Sequence, residues 1–186
     1  FGSCGVAVAL EKEDGAEDIR YLLQTDGTRY QKIIVPGGGS RHRNSKKGWQ
    51  MNGMDIFSFS ISDVVATIKE FAQKEEIDLN QVDMIALHQS NLKILRMIAR
   101  KCKVNPDKCP VVIDRYGNTG ASSVPLVIVD TLAREKDRQD KYRVIACGYG
   151  VGLSWGVMEF VLDGSVKTGM VYTTDYFDDG FYEEGE

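Results

Sequence analysis

Short apolar runs alternate with amphipathic helical segments along this chain, and that alternation limits its possible folds more than any other feature. Residues 55–75 place Val64, Val65, Ile68, Phe71 and Ala72 on one face at helical spacing. Further helices are predicted over 91–102 and 121–135, and short strands over 82–88, 110–114, 142–152 and 153–163. Strands that alternate with helices predict an α/β layered domain.

The two ends and one internal loop depart from this pattern. Residues 5–11 are small and apolar and predict a buried strand, with residues 19–24 as its partner. A long, Gly-rich, basic loop is predicted over 25–54, and loops of this length in compact domains are usually functional or mobile. Residues 163–186 form an acidic, aromatic-rich tail, which we expect to be solvated or loosely docked on the domain formed by residues 1–162.

Charge and hydropathy predict neither nucleic-acid binding nor a membrane-spanning segment. The tail has seven acidic residues and one basic residue, a charge of −6, so the remaining residues carry +2 of the net −4. That excess is too weak to predict nucleic-acid binding. No apolar stretch approaches the roughly 18 residues that span a bilayer. The opening residues, 1–4, lack the features of a secretory signal, so we expect a cytoplasmic protein, whose true start lies further upstream.

The four cysteines predict neither a metal site nor a nucleophile. Cys4, Cys102, Cys109 and Cys147 form no CxxC pair, so no metal ligation is expected. Scattered thiols in a chain without an export signal are usually reduced and buried. Cys147 lies late in a predicted apolar strand, where a thiol is normally inert.

His88 and Asn118 occupy equivalent places in the predicted pattern. Each follows a short apolar run predicted to be a strand, and each precedes a helix. Ligands of open α/β sheets bind beyond the carboxyl ends of strands, so the two side chains would meet at one cavity if those strands are neighbours. A neutral imidazole and a carboxamide can both donate to one carbonyl oxygen, which suits oxyanion stabilisation. A lone histidine can also be an ordinary satisfied polar residue, and both interpretations stay open here.

The glycine-rich stretch CGYGVGLSWG, residues 147–156, leads into a predicted strand rather than a helix. A dinucleotide site needs its glycines between a strand and a helix, so nucleotide binding is not expected. Backbone N–H groups at such a turn could still bind an oxyanion.

Three segments together resemble a known family. HQSNLKI, DRYGNTGASSVP and GYGVGLSWG are similar, in this order and at suitable spacing, to the C-terminal half of β-ketoacyl-acyl-carrier-protein synthase III, and FGSCGVAVAL, PGGGSR and MNGMDIFSFSI match it upstream. The resemblance covers residues 1 to 162. It implies a thiolase-like fold, in which this chain is one half of a five-layered αβαβα sandwich with a mixed sheet.

The resemblance also implies a reaction and roles for individual residues. The family condenses an acyl-CoA primer with malonyl-acyl-carrier-protein through a Cys-His-Asn triad, without a cofactor or metal. His88 and Asn118 match the triad histidine and asparagine, and the Val151 N–H matches an oxyanion donor. The implied substrate and oxyanion loop comprises Tyr149, Gly150, Val151 and Gly152, and the implied CoA and carrier-protein contacts are Ser90, Asn91 and Lys93.

The chain also departs from the family. The nucleophilic cysteine belongs to the half absent from this sequence, so the chain alone is expected to be inactive and to expose apolar surface. Ser3 and Cys4 replace a usual Asp-Gly, and Gly120 replaces a usual serine. Three alternatives therefore stay open. The chain could be part of a synthase III, whose family members are homodimers, part of a related thiolase-fold acyltransferase of secondary metabolism, or a non-catalytic partner subunit.

Overall fold

One four-stranded mixed sheet organises the molecule. The computed structural model describes residues 1–38 and 48–173, so predictions that fall on residues 39–47 and 174–186 lie outside the described residues. The strands are β1 (Arg20–Thr25), β4 (Met84–Leu87), β5 (Lys141–Gly150) and β6 (Ser154–Asp163), in the spatial order β1-β6-β5-β4. β4 is parallel to β5, and the other pairs are antiparallel. The predicted α/β class with a mixed sheet is confirmed.

Helices cover both faces of this sheet. α1 (Gly53–Lys74) and α2 (Leu92–Cys102) pack together on one face, and α4 (Ser123–Arg134) packs on the other. A short helix, α3 (Ile113–Tyr116), lies between α2 and α4. Among the described residues no helix is long and apolar enough to cross a bilayer.

The core forms two layers because successive residues of a strand point to opposite faces of the sheet. All four residues of β4 are buried: Ile85 and Leu87 join the cluster under α1 and α2, while Met84 and Ala86 join the cluster under α4. The predicted stripe of α1 is buried along its whole length, which confirms that helix and its inward face.

Two predicted strands are wrong. Residues 5–11 form no strand, and Val8 and Leu10 are exposed. The segment from residue 19 onward pairs with β6 rather than with residues 5–11. Residues 110–114 are irregular and then helical. A strand requires a hydrogen-bonded neighbour, and an apolar run alone does not supply one.

The predicted long loop is partly structured. It contains a 3₁₀ turn over Gly27–Lys32 and a short antiparallel pair formed by β2 (Ile33–Ile34) and β3 (Gln50–Met51). Asp26 accepts from the N–H of Thr28 at 3.0 Å and caps the 3₁₀ turn. The predicted loop therefore has regular secondary structure near both of its ends.

The first residues of the predicted tail pack on the domain. Arg138, beyond the end of α4, donates to the carbonyl oxygen of Val166 at 2.7 Å and to Thr168 Oγ1 at 2.6 Å. The Tyr172 hydroxyl lies 3.0 Å from that of Tyr116 on α3. This part of the tail is thus docked, and the more acidic remainder lies outside the described residues.

Candidate active site

An apolar cavity of about 590 Å³ lies beside the carboxyl ends of β4 and β5. His88, Asn118 and Gly120 line one side of it. The sheet supplies the other side with small residues, since Gly148 of β5 lies directly opposite Gly156 of β6. The cavity is lined by Phe1, Leu23, Ile33, Trp49, His88, Asn118, Gly120, Ala121, Val124, Ala146, Gly148, Tyr149, Gly150, Val151, Ser154, Gly156, Val157 and Met158.

His88 is held at the end of β4 by backbone and ring contacts. Its N–H donates to the Cys147 carbonyl at 2.9 Å, which continues the parallel pairing of β4 with β5. Its Nδ1 lies 2.6 Å from the Ser123 hydroxyl, and its ring meets Tyr149 edge-on at 5.1 Å. Burial lowers the imidazole pKa to about 4, although a hydrogen bond with the Gly120 backbone opposes that effect. The ring is therefore neutral near pH 7, with one nitrogen that donates and one that accepts.

Asn118 reaches the same cavity from a loop. The sequence predicted that it follows a strand, but it follows the short helix α3 instead. Its Oδ1 accepts from the Gly120 N–H at 2.9 Å, so the remaining NH₂ group is the part of the amide able to donate to a ligand. Its carbonyl oxygen accepts from the Gly2 N–H at 2.8 Å. The N-terminal segment therefore helps to hold this loop.

Close approach to this loop requires glycine at position 2. A Cβ on Gly2 would lie 1.8 Å from the carbonyl oxygen of Tyr116. No real Cβ atom tolerates such a distance, so any side chain there would displace the segment from the Asn118 loop.

The glycine-rich hairpin presents only part of the predicted loop to the cavity. Tyr149, Gly150 and Val151 line it, whereas Gly152 does not. Gly152 has a φ of +139°, and a Cβ on it would lie 2.4 Å from Ser154 Oγ, so it is required for the turn. The Tyr149 hydroxyl lies 2.8 Å from Ser90 Oγ, and burial raises its pKa, so it stays protonated.

The three predicted CoA and carrier-protein contacts lie at the start of α2, outside the cavity lining. Ser90 touches the site indirectly, through Tyr149. Asn91 caps the helix, since its Oδ1 accepts from the Lys93 N–H at 2.8 Å. Lys93 is exposed. Their binding roles stay predictions.

Two buried residues of the site had no signal in the sequence. Gln89 and Ser123 are both completely buried. Ser123 lies within a run of small residues, and Gln89 stands beside the histidine, but neither position has a spacing that marks it. Only their contacts identify them as part of the site.

The buried thiols are poor nucleophiles in this structure. Burial raises the pKa of Cys147 to about 12, that of Cys109 to about 12 and that of Cys102 to about 11. A thiol with so high a pKa is almost entirely protonated near pH 7. In the described part of the chain, no group of histidine, cysteine and carboxylate side chains is arranged to hold a metal ion.

The depressed pKa of His88 predicts how stability depends on pH. In the unfolded chain the imidazole takes up a proton below about pH 6.5, but in the folded protein it does so only near pH 4. The stability contributed by the neutral ring is thus complete above pH 6.5 and is lost as the pH falls toward 4. We expect a loss of about 3 kcal/mol over that interval.

Urea unfolding of the chain at several pH values measures this loss. The His88→Gln variant is the matched control, because it keeps a polar side chain that does not titrate. The difference between the two curves isolates the histidine from the carboxylates. Parallel curves between pH 6.5 and 4 would contradict the prediction.

The layered fold, with His88 and Asn118 at one apolar cavity, is that of a thiolase-like domain, and solved structures share this fold. A 3-oxoacyl-(acyl-carrier protein) synthase from Burkholderia xenovorans LB400 superposes with a TM-score of 0.68 at 28% identity, over 78% of this chain and 44% of that one. Residues 72–161 match the family described as 3-oxoacyl-[acyl-carrier-protein (ACP)] synthase III C terminal.

Curated relatives are similar in sequence to most of the chain. The β-ketoacyl-[acyl-carrier-protein] synthase III of Streptococcus pyogenes is 34% identical over 162 residues, which is 84% of this chain and 50% of that protein. The protein of the same name from Streptococcus gordonii is 29% identical over 164 residues, 85% of this chain and 51% of that protein. The chain therefore spans about half the length of the curated relatives it matches.

Proposed function

We propose that this chain is part of a 3-oxoacyl-[acyl-carrier-protein] synthase III, which starts fatty acid synthesis by condensing acyl-CoA with malonyl-acyl-carrier-protein. One observation carries the proposal: His88 and Asn118 line the same apolar cavity, in a chain similar to this family along 85% of its length. No cofactor is needed for this reaction, in which both substrates are thioesters.

The donor pair suits the second half of that reaction. The malonyl thioester oxygen would accept hydrogen bonds from the His88 imidazole and the Asn118 NH₂ group. Loss of carbon dioxide leaves an electron pair that is delocalised onto this oxygen as an enolate, and the two donors stabilise the developing charge. The enolate carbon then attacks the acyl thioester, a carbon–carbon bond forms, and the cysteine leaves as a thiolate. A neutral histidine suits this role because it donates without transferring a proton.

The first half of the reaction needs groups from elsewhere. An acyl group would pass from CoA to a cysteine contributed by the other half of the protein, since the buried thiols here stay protonated. The N–H of Val151, at the edge of the cavity, would then bind the oxyanion of the acylated cysteine. We propose that the complete protein is a homodimer in the cytoplasm and that this chain alone is inactive.

The exposed apolar surface of the sheet is suited to packing against a second α/β half. Tyr21 and Leu23 of β1 are 58% and 68% exposed, and Met158 of β6 lies beside them on the same face of the sheet. Exposed apolar patches of this kind are typical of a surface that another domain covers. A second α/β half on this face would complete a five-layered sandwich and close the cavity.

Lys93 supports the proposed carrier-protein contact. The side chain is exposed at the start of α2. We expect Lys93→Glu in the complete protein to raise the KM for malonyl-acyl-carrier-protein about tenfold with little change in kcat, because rim charges act mainly on association. Initial rates measure this. Lys136→Glu, an equal charge change at an exposed site beyond α4, is the control, and equal KM values in the two variants would contradict the contact.

The complete coding sequence provides the test of the proposed function. We expect the full-length protein to form 3-oxoacyl-acyl-carrier-protein from acetyl-CoA and malonyl-acyl-carrier-protein, with carbon dioxide released in equal amount. Activity only with other acyl thioesters would favour the secondary-metabolism alternative. An upstream half without a cysteine, and no condensation with any primer, would favour the non-catalytic partner.

A further inference from the structure

We propose that Gln89 is a positioning residue whose buried amide fixes the segment carrying Asn118 relative to the strand carrying His88. The inference rests on the proposed function, because it concerns the same donor pair. Gln89 does not line the cavity, so its role would be exerted through other residues.

The amide of Gln89 joins two separate segments. Its Oε1 accepts from the Val112 N–H at 2.9 Å, and its Nε2 donates to the Leu87 carbonyl at 2.9 Å and toward the Pro110 carbonyl at 3.4 Å. The side chain therefore bonds to the backbone of residues 110–112 as a neighbouring strand would. The backbone of this predicted strand therefore has hydrogen bonds to the Gln89 side chain, although it joins no sheet.

The position of Val112 is passed on to Asn118. The Val112 carbonyl accepts from the N–H groups of Arg115 and Tyr116, which forms the single turn of α3. The Ile113 carbonyl then accepts from the Gly117 N–H at 2.9 Å, and Asn118 follows directly. A shift of Val112 would consequently move the loop that presents the carboxamide.

Gln89 is also tied to the histidine side of the site. Its backbone N–H donates to the Ser123 hydroxyl at 3.3 Å, and that hydroxyl lies 2.6 Å from His88 Nδ1. Ser123 begins α4. One residue thus contacts the end of β4, the segment before α3 and the start of α4, which are the three elements around the donor pair.

Only a side chain with both a donor and an acceptor can make these contacts. Methionine nearly matches glutamine in shape but makes none of the hydrogen bonds. An ionised carboxylate keeps the acceptor for Val112 but repels the carbonyl oxygens of Leu87 and Pro110. A protonated carboxyl regains the donor, so Gln89→Glu should behave like the natural protein below the pKa of the introduced carboxyl, which burial raises, and should depart from it above that pKa.

Nuclear magnetic resonance of the 186-residue chain tests the proposal without substrate. In Gln89→Met we expect the N–H groups of Val112 and Gly120 to exchange with solvent about tenfold faster, as loss of a buried hydrogen bond predicts. The side-chain NH₂ signals of Asn118 should move toward their values in a free amide. The His88 N–H, bonded within the sheet, should keep its exchange rate.

The Gln89→Glu variant gives a readout that a purely packing role would not move. Its Asn118 and Gly120 signals should return toward the natural positions as the pH falls and the variant carboxyl takes up a proton. Gln24→Met is the matched control, because it removes the Gln24 contacts to Glu70 and Thr67, away from the cavity.

Three results would overturn the proposal: equal acceleration of exchange at all core amides, unchanged Asn118 signals in Gln89→Met, or no pH-dependent recovery in Gln89→Glu. Failure of the condensation assay would not affect these signals, so the two proposals are tested separately.

Discussion

In the complete protein, His88→Ala and Asn118→Ala are each expected to lower the rate of malonyl decarboxylation by a factor of about 10² to 10³. Each variant would remove one of the two hydrogen bonds proposed to the enolate oxygen, and one such donor is typically worth about 3 kcal/mol in the transition state. Transfer of the primer onto the nucleophilic cysteine should be largely spared, because we propose that the backbone N–H of Val151 serves that step instead.

Two measurements on the same variants separate these steps. Release of labelled carbon dioxide reports decarboxylation, and the amount of acylated protein formed from labelled acetyl-CoA reports the first transfer. Asn80→Ala is a suitable control, because Asn80 contacts Lys103 and Asn105, away from the cavity. Full condensation rates in both site variants would refute the assigned roles.

The second large expected effect is a loss of stability when a buried carboxylate is removed from the sheet. Glu159→Ala is expected to lower the free energy of unfolding by about 3 kcal/mol, because it leaves two guanidinium groups without their shared carboxylate. Glu159 of β6 is only 2% exposed, and it accepts from Arg20 Nε at 3.0 Å and from Arg143 Nη1. Arg20 lies directly opposite it on β1, and Arg143 is on β5, so one carboxylate links three strands.

Urea unfolding of the chain at pH 7 measures this loss. Glu17→Ala is the matched comparison, because Glu17 also pairs with Arg143, at 2.8 Å, but its side chain is 50% exposed. An exposed ion pair contributes at most about 1 kcal/mol. Equal losses of unfolding free energy in the two variants would show that the burial of Glu159 does not increase its contribution to stability.

Long periodic segments were predicted correctly. The helix predicted over 91–102 is α2, in which Leu95, Ile98 and Ala99 are buried on one face, while Leu92 and Cys102, at the helix ends, are only partly covered. Several turns of regular spacing leave a helix one apolar face, and that face decides the packing. The strands β4, β5 and β6 were also predicted, since apolar runs suit strands that are buried on both faces of a sheet.

Two of the short apolar runs were misjudged. Residues 5–11 and 110–114 have strand-like composition, yet neither joins the sheet. Whether such a run becomes a strand depends on a neighbour that the run itself does not encode. For residues 110–112 the neighbour is one glutamine side chain, which no pattern rule anticipates.

The sequence by itself determined the layered α/β class, the resemblance to the synthase III family, and the choice of His88 and Asn118 as candidates. These follow from residue spacing and from segments of contiguous residues, which are properties of the chain before it folds. The tertiary structure alone decided that a loop, rather than a strand end, brings Asn118 to the cavity. It also decided that His88 is neutral and that Gln89 lies between the two segments. Hydrogen bonds and desolvation depend on groups that meet only in the folded state, so no local pattern could encode them.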